Sequence, residues 1–314
     1  MAEKHSILVP TDFSACAEHA LLYAFALARA TDSVLHFAHV VDPLLQVVPA
    51  REGEKVDVFE SVQKHAMDRL RRLQSRAGER GIEAVVHVDR GTVVEKLIQL
   101  IEETGCAMVV IATHGHSGFD RFVFGSTCDK LVRRSPVPMF VVKHPELTEA
   151  GTETEAKLHR VLCPIDFSEF SHAALPRAES LTRRFKGTLV LAHVVQPYFE
   201  SLEYMPEMTM EHLKALEDTA AANLHQLASD IHDLPVETKV LCGVTHRELV
   251  RFILETHVDL VVLATHGRSG VAHLIFGSVA EKLLHTAPCP VLTIRPDKAA
   301  TVPELFEERH KALT

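Results

Sequence analysis

Residues 7–14 read ILVPTDFS, and residues 161–168 read VLCPIDFS. Each stretch is a short apolar run that ends in Pro, Asp, Phe and Ser, which is typical of a buried strand followed directly by a turn. The spacing holds along the chain, because Asp166 follows Asp12 by 154 residues and Gly243 follows Gly91 by 152. The sequence therefore predicts two copies of one fold, and this repeat decides how the other motifs are interpreted.

A second repeated segment lies near the end of each copy. Residues 112–118 read ATHGHSG and lead to Gly125-Ser126, and residues 264–270 read ATHGRSG and lead to Gly277-Ser278. The shared residues are glycines and serines at the ends of elements, not aliphatic core residues alone. The pattern therefore indicates a repeated binding site in addition to a repeated scaffold.

Hydrophobic periodicity in the first copy predicts five apolar strands separated by helices. The expected strands are Ile7–Pro10, Val34–Val41, Ala84–Val88, Ala107–Ala112 and Pro138–Val142. Helices are expected after Ser14, which can act as an N-cap, then from Phe59 to a point before Gly81, over residues 93–101 and over residues 126–134. Helical crossovers between apolar strands give a parallel sheet covered on both faces. Each copy is therefore predicted to be a doubly wound, Rossmann-like α/β domain with a parallel five-stranded sheet.

The length of 314 residues suits two domains of ordinary size. We expect domain 1 over residues 1–145, an acidic linker over 146–158, domain 2 over 159–296, and a charged tail over 297–314. One insertion follows the second strand of each copy, at residues 42–56 in the first and 196–210 in the second. The second insertion is rich in Met and Tyr, and it is either a lid or partner surface or a segment packed against the other domain.

The bulk properties exclude several classes of function. A net charge of -9 disfavours a nucleic-acid surface, although a local anion site for one nucleotide remains compatible with it. No apolar run approaches the roughly 20 residues of a membrane span, and no signal-peptide region precedes the first strand. The six cysteines are scattered without a C-x-x-C pair, which predicts reduced, buried thiols and a cytoplasmic location.

The two repeated motifs are expected to meet in space. In doubly wound sheets, ligands bind beyond the carboxyl ends of the strands, where the strand order reverses. Strands one and four flank that crevice, so Asp12 should approach Gly125-Ser126, and Asp166 should approach Gly277-Ser278. Backbone N–H groups and the dipole at the start of a helix suit a phosphate group. A carboxylate across the crevice can accept a hydrogen bond from a ribose hydroxyl or an adenine amine.

Each of these residues also has a structural alternative. Asp12 and Asp166 can cap a turn or the first helix, and the glycines can serve a tight loop without a ligand. The 21 histidines show no spacing typical of zinc, so no metal site is expected. The sequence contains no P-loop, no Gly-Gly-x-Asp-Ser loop and no G-x-S-x-G elbow. With no nucleophile and general base repeated at the crevice, we expect at most slow turnover and no true enzyme.

The motifs resemble those of the universal stress protein family in its tandem form, over Ile7–Val142 and Val161–Arg295. Nucleotide-binding members of that family carry G-x2-G-x9-G-[ST]. The segments from Gly115 to Ser126 and from Gly267 to Ser278 match its later part. At the first glycine of the motif this chain has alanine in both copies. The resemblance implies a fold of the adenine nucleotide alpha hydrolase-like type.

The resemblance also implies a function. It implies ATP, AMP or ADP as the ligand, with Mg²⁺ as an optional companion, and a regulatory role in the stress response. Val40 and Val194, which follow His39 and His193, correspond to the positions that offer their backbone to adenine. The candidate nucleotide-binding residues are Pro10, Thr11, Asp12, Val40, Ala112, Gly115, Gly118, Arg121, Gly125, Ser126 and Thr127 in the first copy, and Pro164, Ile165, Asp166, Val194, Ala264, Gly267, Arg268, Gly270, Gly277, Ser278 and Val279 in the second.

The resemblance further implies an intramolecular pseudo-dimer. The fifth strands, Met139–Lys143 and Val291–Arg295, would otherwise be exposed edges, and their pairing would cover both. A homodimer and an unidentified protein partner are further options. Two alternative functions stay open: a slow ATPase, and a nucleotide-free interaction scaffold in which Ala112 and Ala264 close the pocket.

Overall fold

A computed structural model of the chain describes residues 4–42, 47–49, 55–57, 59–113, 125–143, 156–196, 210–265 and 277–295. These residues form two compact units, one that ends at Ala156 and one that begins at Lys157. The Met- and Tyr-rich part of the second insertion, most of the predicted linker and the predicted tail lie outside the described residues.

The first unit alternates strands and helices as predicted. Its elements are β1 (Ser6–Pro10), α1 (Ala15–Thr31), β2 (Val34–Val41), β3 (Val47–Pro49), β4 (Lys55–Asp57), α2 (Phe59–Gly78), β5 (Ala84–Arg90), α3 (Val93–Thr104), β6 (Met108–Ala112), α4 (Ser126–Arg134) and β7 (Met139–Val142). The main strands lie in the order β5-β2-β1-β6-β7, and each neighbouring pair is parallel.

The second unit repeats this arrangement. Its elements are β8 (Arg160–Pro164), α5 (Glu169–Arg184), β9 (Thr188–Val195), α6 (Met210–Ser229), β10 (Val236–Cys242), α7 (Thr245–Thr256), β11 (Leu260–Ala264), α8 (Ser278–Thr286) and β12 (Val291–Ile294). The strand order is β10-β9-β8-β11-β12, again parallel throughout. The predicted fold class, two doubly wound parallel five-stranded sheets in tandem, is confirmed.

Among the described elements, a short hairpin was not predicted by the periodicity. Strands β3 and β4 pair in an antiparallel manner, with Val48 opposite Val56, inside the first insertion. Strands of three residues are too short to show a hydrophobic period, so the sequence pattern does not predict them.

The central strands are buried on both sides, as a parallel sheet between helical layers requires. Ile7, Leu8 and Val9 of β1 are at most 1% exposed. Cys163, which stands in β8 where β1 has Val9, is fully buried, so this thiol is buried as predicted. None of the six cysteines is in a disulfide; five are buried and Cys242 is partly buried.

Among the helices that the structure describes, none is long and apolar enough to cross a bilayer.

Candidate functional site

The ends of three neighbouring strands bring predicted site residues to one edge of the first sheet. β1 lies between β2 and β6 and is parallel to both. Asp12 follows β1, Val40 is the penultimate residue of β2, and Ala112 is the last residue of β6. Because parallel strands end at the same edge, these residues share it, at the point where the strand order reverses. Asp166, Val194 and Ala264 have the same places in the second unit.

The turn after β1 is held by short side-chain to backbone hydrogen bonds. The N–H of Thr11 donates to the carbonyl of Ala38 at 2.9 Å, which extends the pairing with β2 by one residue. Oδ1 of Asp12 accepts from the N–H of Ser14 at 3.0 Å. Oγ of Ser14 accepts from the N–H of Ala17 at 3.2 Å and so caps α1, as predicted. The structural alternative for Asp12, a turn-forming carboxylate, is therefore present in the molecule.

The same turn recurs in the second unit with one difference in chemistry. Asp166 Oδ1 accepts from the backbone N–H of Ser168 at 3.0 Å and also from the hydroxyl of Ser168 at 2.5 Å. Ser168 in turn caps α5 by accepting from the N–H of Ser171 at 3.2 Å. A carboxylate offers about four acceptor positions, so these bonds do not exhaust its capacity for a ligand.

The phenylalanine in each turn has a left-handed backbone. Phe13 has φ 65° and Phe167 has φ 60°, a region that is unfavourable for a bulky side chain. Such outliers persist only where the surrounding structure supports them, and they concentrate at functional sites. The support here includes an imidazole: the ring centroids are 4.7 Å apart in Phe13–His39 and again in Phe167–His193.

Each of these histidines also bonds to the turn that it contacts. Nδ1 of His39 lies 2.8 Å from the carbonyl oxygen of Thr11, and Nδ1 of His193 lies 2.7 Å from that of Ile165. A carbonyl oxygen can only accept, so Nδ1 carries the proton and donates. The imidazole thereby ties the end of the second strand to the turn after the first strand.

The histidine and phenylalanine were not among the predicted site residues. Their signal was available, since Phe13 and Phe167 recur in the quoted stretches and His39 and His193 recur 154 residues apart. Of the pairs His39-Val40 and His193-Val194, only the valines were predicted to contact the ligand.

The glycine at the start of α4 is anchored to the end of β6. The N–H of Gly125 donates to the carbonyl of Thr113 at 2.7 Å, and the N–H of Thr113 donates to Val142 at 2.9 Å. Thr113 is only 1% exposed, so the anchor is buried. Gly277 and Thr265 repeat the first of these bonds at 2.6 Å.

The anchored helices begin without a side-chain cap. Gly125 and Gly277 occupy the N-cap positions of α4 and α8, and neither offers a side-chain acceptor. The N–H groups of the first helical turn have no acceptor within the helix. Among the described residues, neither N-cap satisfies these groups through a side chain, and their partial positive charge lies at the edge that also holds the Asp12 and Asp166 turns. The exposed Ser126 and Ser278 are the first helical residues and add a hydroxyl to each set.

Six predicted site residues lie outside the described residues. These are Gly115, Gly118 and Arg121 in the first copy and Gly267, Arg268 and Gly270 in the second. Their contact with a ligand stays a prediction. Within the parts of the chain that the structure describes, no group of three or more His, Cys, Asp or Glu side chains is arranged to hold a metal ion.

A buried thiol lies close to the first turn without adding chemistry to it. Cys16 is in the first turn of α1 and is 6% exposed. Burial, and secondarily the charge of Asp12, raises the pKa of this thiol above its ordinary value. The neutral thiol is a packing group, since the thiolate is the nucleophilic form.

The fold and this edge define a class of protein: a tandem of doubly wound α/β domains, each with a glycine at a helix start and an aspartate after a strand at the same edge of its sheet. The sequence model of the universal stress protein family matches the chain twice, at residues 4–143 and 157–295. The chain therefore belongs to the universal stress protein family, in the tandem form with two family domains, as the repeated motifs predicted.

Individual relatives agree with this assignment. A universal stress protein of Mycolicibacterium smegmatis is 25% identical over 301 residues, which cover 94% of this chain and 98% of the relative. The crystal structure of a universal stress protein from Archaeoglobus fulgidus has a TM-score of 0.64 at 20% identity and covers 93% of this chain and 98% of that one. A putative universal stress protein from Pseudomonas aeruginosa has a TM-score of 0.63 at 17% identity, covering 97% and 98%. The two structures support the fold.

Proposed function

We propose that each unit binds an adenine nucleotide at the carboxyl edge of its sheet and that the protein is a stress-response regulator. One observation carries the proposal: the uncapped start of α4 is anchored by Gly125 to the end of β6, and β6 adjoins the strand that ends in the Asp12 turn. The arrangement places a partial positive charge and a carboxylate at one edge, and Gly277 and Asp166 repeat it.

The residues present fit such a ligand. The first-turn N–H groups of α4, with the hydroxyl of Ser126, suit the phosphates. Asp12 suits a ribose hydroxyl or the adenine amine, and the backbone of Val40 suits the adenine edge. Ala112 and Ala264 each end a strand with a single methyl group, which is a small volume beside the space that a nucleotide needs. Gly115, Gly118 and Arg121, with their counterparts, complete the proposed phosphate contacts.

The first experiment asks which ligand the protein carries. The purified protein is denatured with acid, and the released small molecules are identified by mass spectrometry. Thermal unfolding is then followed with ATP, ADP and AMP at millimolar concentration, with and without Mg²⁺. We expect a copurified adenine nucleotide and a rise in the unfolding temperature, since a ligand that binds only the folded state stabilises it. A protein without nucleotide and without any thermal shift contradicts the proposal and supports the interaction scaffold.

A designed negative charge separates an effect on nucleotide binding from an effect on stability. Ser126→Asp, or Ser278→Asp in the second unit, places a negative charge where the phosphates are proposed to lie. The same charge is favourable for the helix itself, because an acidic residue at a helix start complements the dipole. We expect each variant to be at least as stable as the wild type and to lose nucleotide binding in its own unit. Unchanged binding in both variants would exclude the helix starts as the phosphate site.

The same preparations test turnover. We propose binding without efficient hydrolysis, because the hydroxyl and carboxylate that pair in the second turn, Ser168 and Asp166, are used to hold the turn and to cap α5. Phosphate release from ATP is measured with Mg²⁺ and with EDTA. Release that requires Mg²⁺ and falls in Ser126→Ala and Ser278→Ala would instead support the slow ATPase.

We also propose that the two units form an intramolecular pseudo-dimer through their fifth strands. The support is the tandem pair of family domains and the general need to cover sheet edges. The prediction for light scattering is a particle of 34.8 kDa, the mass of one chain. A particle of about twice that mass would indicate a homodimer.

A further inference from the structure

We propose that the two nucleotide sites are unequal, and that the N-terminal unit binds polyanionic nucleotides such as ATP more tightly than the C-terminal unit. This inference rests on the proposed function above. It follows from the side chains that surround the carboxyl edge of each sheet, which differ in charge although the two backbones match.

The first difference is on the helix after the second main strand. Helices α2 and α6 align with the repeat spacing of 154 residues, and the aligned Leu70 and Leu224 are both fully buried. The same register pairs Arg69 of α2 with Asn223 of α6. A cation in the first unit is thus replaced by a neutral, shorter side chain in the second.

Arg69 lies directly at the proposed site. Its Nη2 donates to the carbonyl oxygen of Phe13 at 3.3 Å, and its guanidinium carbon is 4.2 Å from the centroid of the Phe13 ring. This distance is within the range of a cation–π contact. Since Phe13 follows Asp12 in the chain, the guanidinium charge lies beside the turn that is proposed to contact the nucleotide.

The second difference is beside the glycine after the third main strand. Gly91 and Gly243 have φ 149° and 137°, values that favour glycine. The N–H of Gly91 donates to the carbonyl of Val41, so this glycine lies at the carboxyl edge. A Cβ atom at Gly91 would be 3.1 Å from side-chain carbons of Lys96, and one at Gly243 would be 3.0 Å from Glu248. A lysine and a glutamate therefore pack at equivalent places in the two units.

Lys96 and Glu248 each have a partner of opposite charge in their own unit. Nζ of Lys96 is 3.2 Å from an oxygen of Asp89, and Glu248 forms an ion pair with Arg251. Asp89 and Arg251 are exposed, whereas Lys96 and Glu248 are partly buried, and solvent weakens the compensation that an exposed partner provides. The reversal of the partly buried charge therefore acts in the same direction as the Arg69 difference.

The third difference is at the end of the third main strand itself. Arg90 ends β5, whereas Cys242 ends β10. The pKa of the Cys242 thiol is raised first by burial and then by Glu217 and Glu248, so two carboxylates lie close to it. The counterpart of Glu217 in the first unit is the neutral Gln63.

Arg69 is the difference that lies at the turn itself. Around it the signs are mixed: the first edge also carries Arg90 and Lys96, where the second has a thiol and a carboxylate, but Asp89 and Glu95 of the first unit stand where the second has Leu241 and Arg247. A charge within about 10 Å of a triphosphate changes its dissociation constant severalfold at low salt, so Arg69 should make the first site severalfold tighter for ATP. The Debye length is about 10 Å at 0.1 M salt, so the difference should shrink as salt is added. AMP carries less charge than ATP and should show a smaller difference.

The experiment measures each site alone in the full chain. Ser278→Asp leaves the first site and Ser126→Asp leaves the second. Calorimetric titration with ATP and with AMP, without Mg²⁺, is carried out in both variants at 50 and 300 mM NaCl. We expect the first site to bind ATP severalfold more tightly at the lower salt, and the ratio to be smaller for AMP and at the higher salt.

Exchanging these side chains between the two units tests whether they cause the difference in ATP affinity. Arg69→Asn with Lys96→Glu should weaken ATP binding at the first site, and Asn223→Arg with Glu248→Lys should strengthen it at the second. Lys4→Gln is the matched control, because Lys4 pairs with Asp32 and Glu83 at the opposite edge of the first sheet. It removes a positive charge from the same unit and should leave both dissociation constants unchanged.

The outcomes separate this inference from the proposed function. Two equal dissociation constants for ATP overturn the inequality, and a difference that survives both exchanges overturns the role of these side chains; either result leaves nucleotide binding intact. A complete lack of binding in the wild-type protein overturns both. A first site that is tighter, salt-sensitive and weakened by the exchange supports the inference.

Discussion

The ring centroid of His39 lies 4.7 Å from that of Phe13, and the Nδ1–H of the same imidazole donates to the carbonyl oxygen of Thr11. The two side chains are 26 residues apart in the chain and meet because β1 and β2 are neighbours. Their contact supports a backbone conformation that phenylalanine rarely adopts. His193 and Phe167 repeat it. In both candidate sites, a turn with a left-handed phenylalanine therefore lies directly beside the aspartate.

The left-handed conformation of Phe13 can be tested with two truncations. Phe13→Gly and Phe13→Ala both remove the ring contact, but only glycine tolerates φ 65° without strain. We expect the alanine variant to be less stable than the glycine variant by about 1 kcal/mol, the usual cost of a left-handed residue. Urea unfolding of the two variants measures the difference. Equal stabilities would mean that the turn relaxes once the ring is removed.

The turn role and the ligand role of Asp12 are separable by a conservative change. Asn in place of Asp12 retains an oxygen that can accept from the N–H of Ser14, but it removes the charge. We expect Asp12→Asn to keep the stability of the wild type within about 0.5 kcal/mol and to weaken nucleotide binding at the first site by about tenfold or more, the range for a hydrogen bond to a charged group.

Asp12→Ala supplies the comparison for this prediction. It removes the turn bond as well, so stability should fall together with binding. If the asparagine variant loses stability and keeps its affinity for nucleotide, the carboxylate is a turn residue only.

The N-cap serines should contribute to stability independently of any ligand. Ser14 and Ser168 each accept a backbone hydrogen bond at the start of a 16- or 17-residue helix. Replacement of either serine with alanine should lower the free energy of unfolding by about 1 kcal/mol. Ser126→Ala is the control, because Gly125 and not Ser126 is at the N-cap of α4. Chemical denaturation of the three variants gives the comparison, and a loss in Ser126→Ala equal to the others would contradict it.

A histidine pair in the first sheet predicts a dependence of stability on pH. Nδ1 of His36 and Nε2 of His87 are 3.0 Å apart, which requires one of the two nitrogens to be unprotonated. Burial, followed by the neighbouring His87, lowers the pKa of His36 to about 4, while Glu83 opposes the shift. Burial also lowers the pKa of His87, against the opposing effect of Glu103.

The direction of this pH dependence follows from the number of protons that the folded and the unfolded chain bind. Between pH 6.5 and about 4 the unfolded chain binds a proton at His36 that the folded chain does not. The free energy of unfolding should therefore be highest above pH 6.5 and fall as the pH approaches 4, by at most about 1.4 kcal/mol per pH unit for each proton. Thermal unfolding between pH 7.5 and 4.5 measures the slope.

A substitution taken from the second unit provides the control for this prediction. Val190 stands where the first unit has His36, so His36→Val is compatible with the same strand position. This variant should have a shallower slope, whereas His65→Gln, at an exposed position on α2, should keep the wild-type slope. Equal slopes in all three proteins would show that the pair does not control the titration.

Much of the fold could be predicted because it depends on local patterns. Strands such as Ile7–Pro10 are short apolar runs, and Ser126–Arg134 begins after a glycine, so both were located to within about one residue. The β3–β4 hairpin could not be predicted, since three-residue strands leave no periodic signal. For the site, the repeat identified Asp12 and Gly125 but not the contact between Phe13 and His39, which joins two strands.

The order of residues alone determined the tandem repeat, the alternation of strands and helices, and the acidic and glycine motifs that follow the strands. These properties follow from hydrophobic periodicity and from the backbone preferences of single residues, which are local. Only the tertiary structure decided that His39 supports Phe13, that Arg69 lies over the same ring, and that Lys96 and Glu248 cover equivalent glycines with opposite charge. Parallel strands and their crossover helices bring together residues that are distant in the chain, and the charge at each site therefore depends on packing.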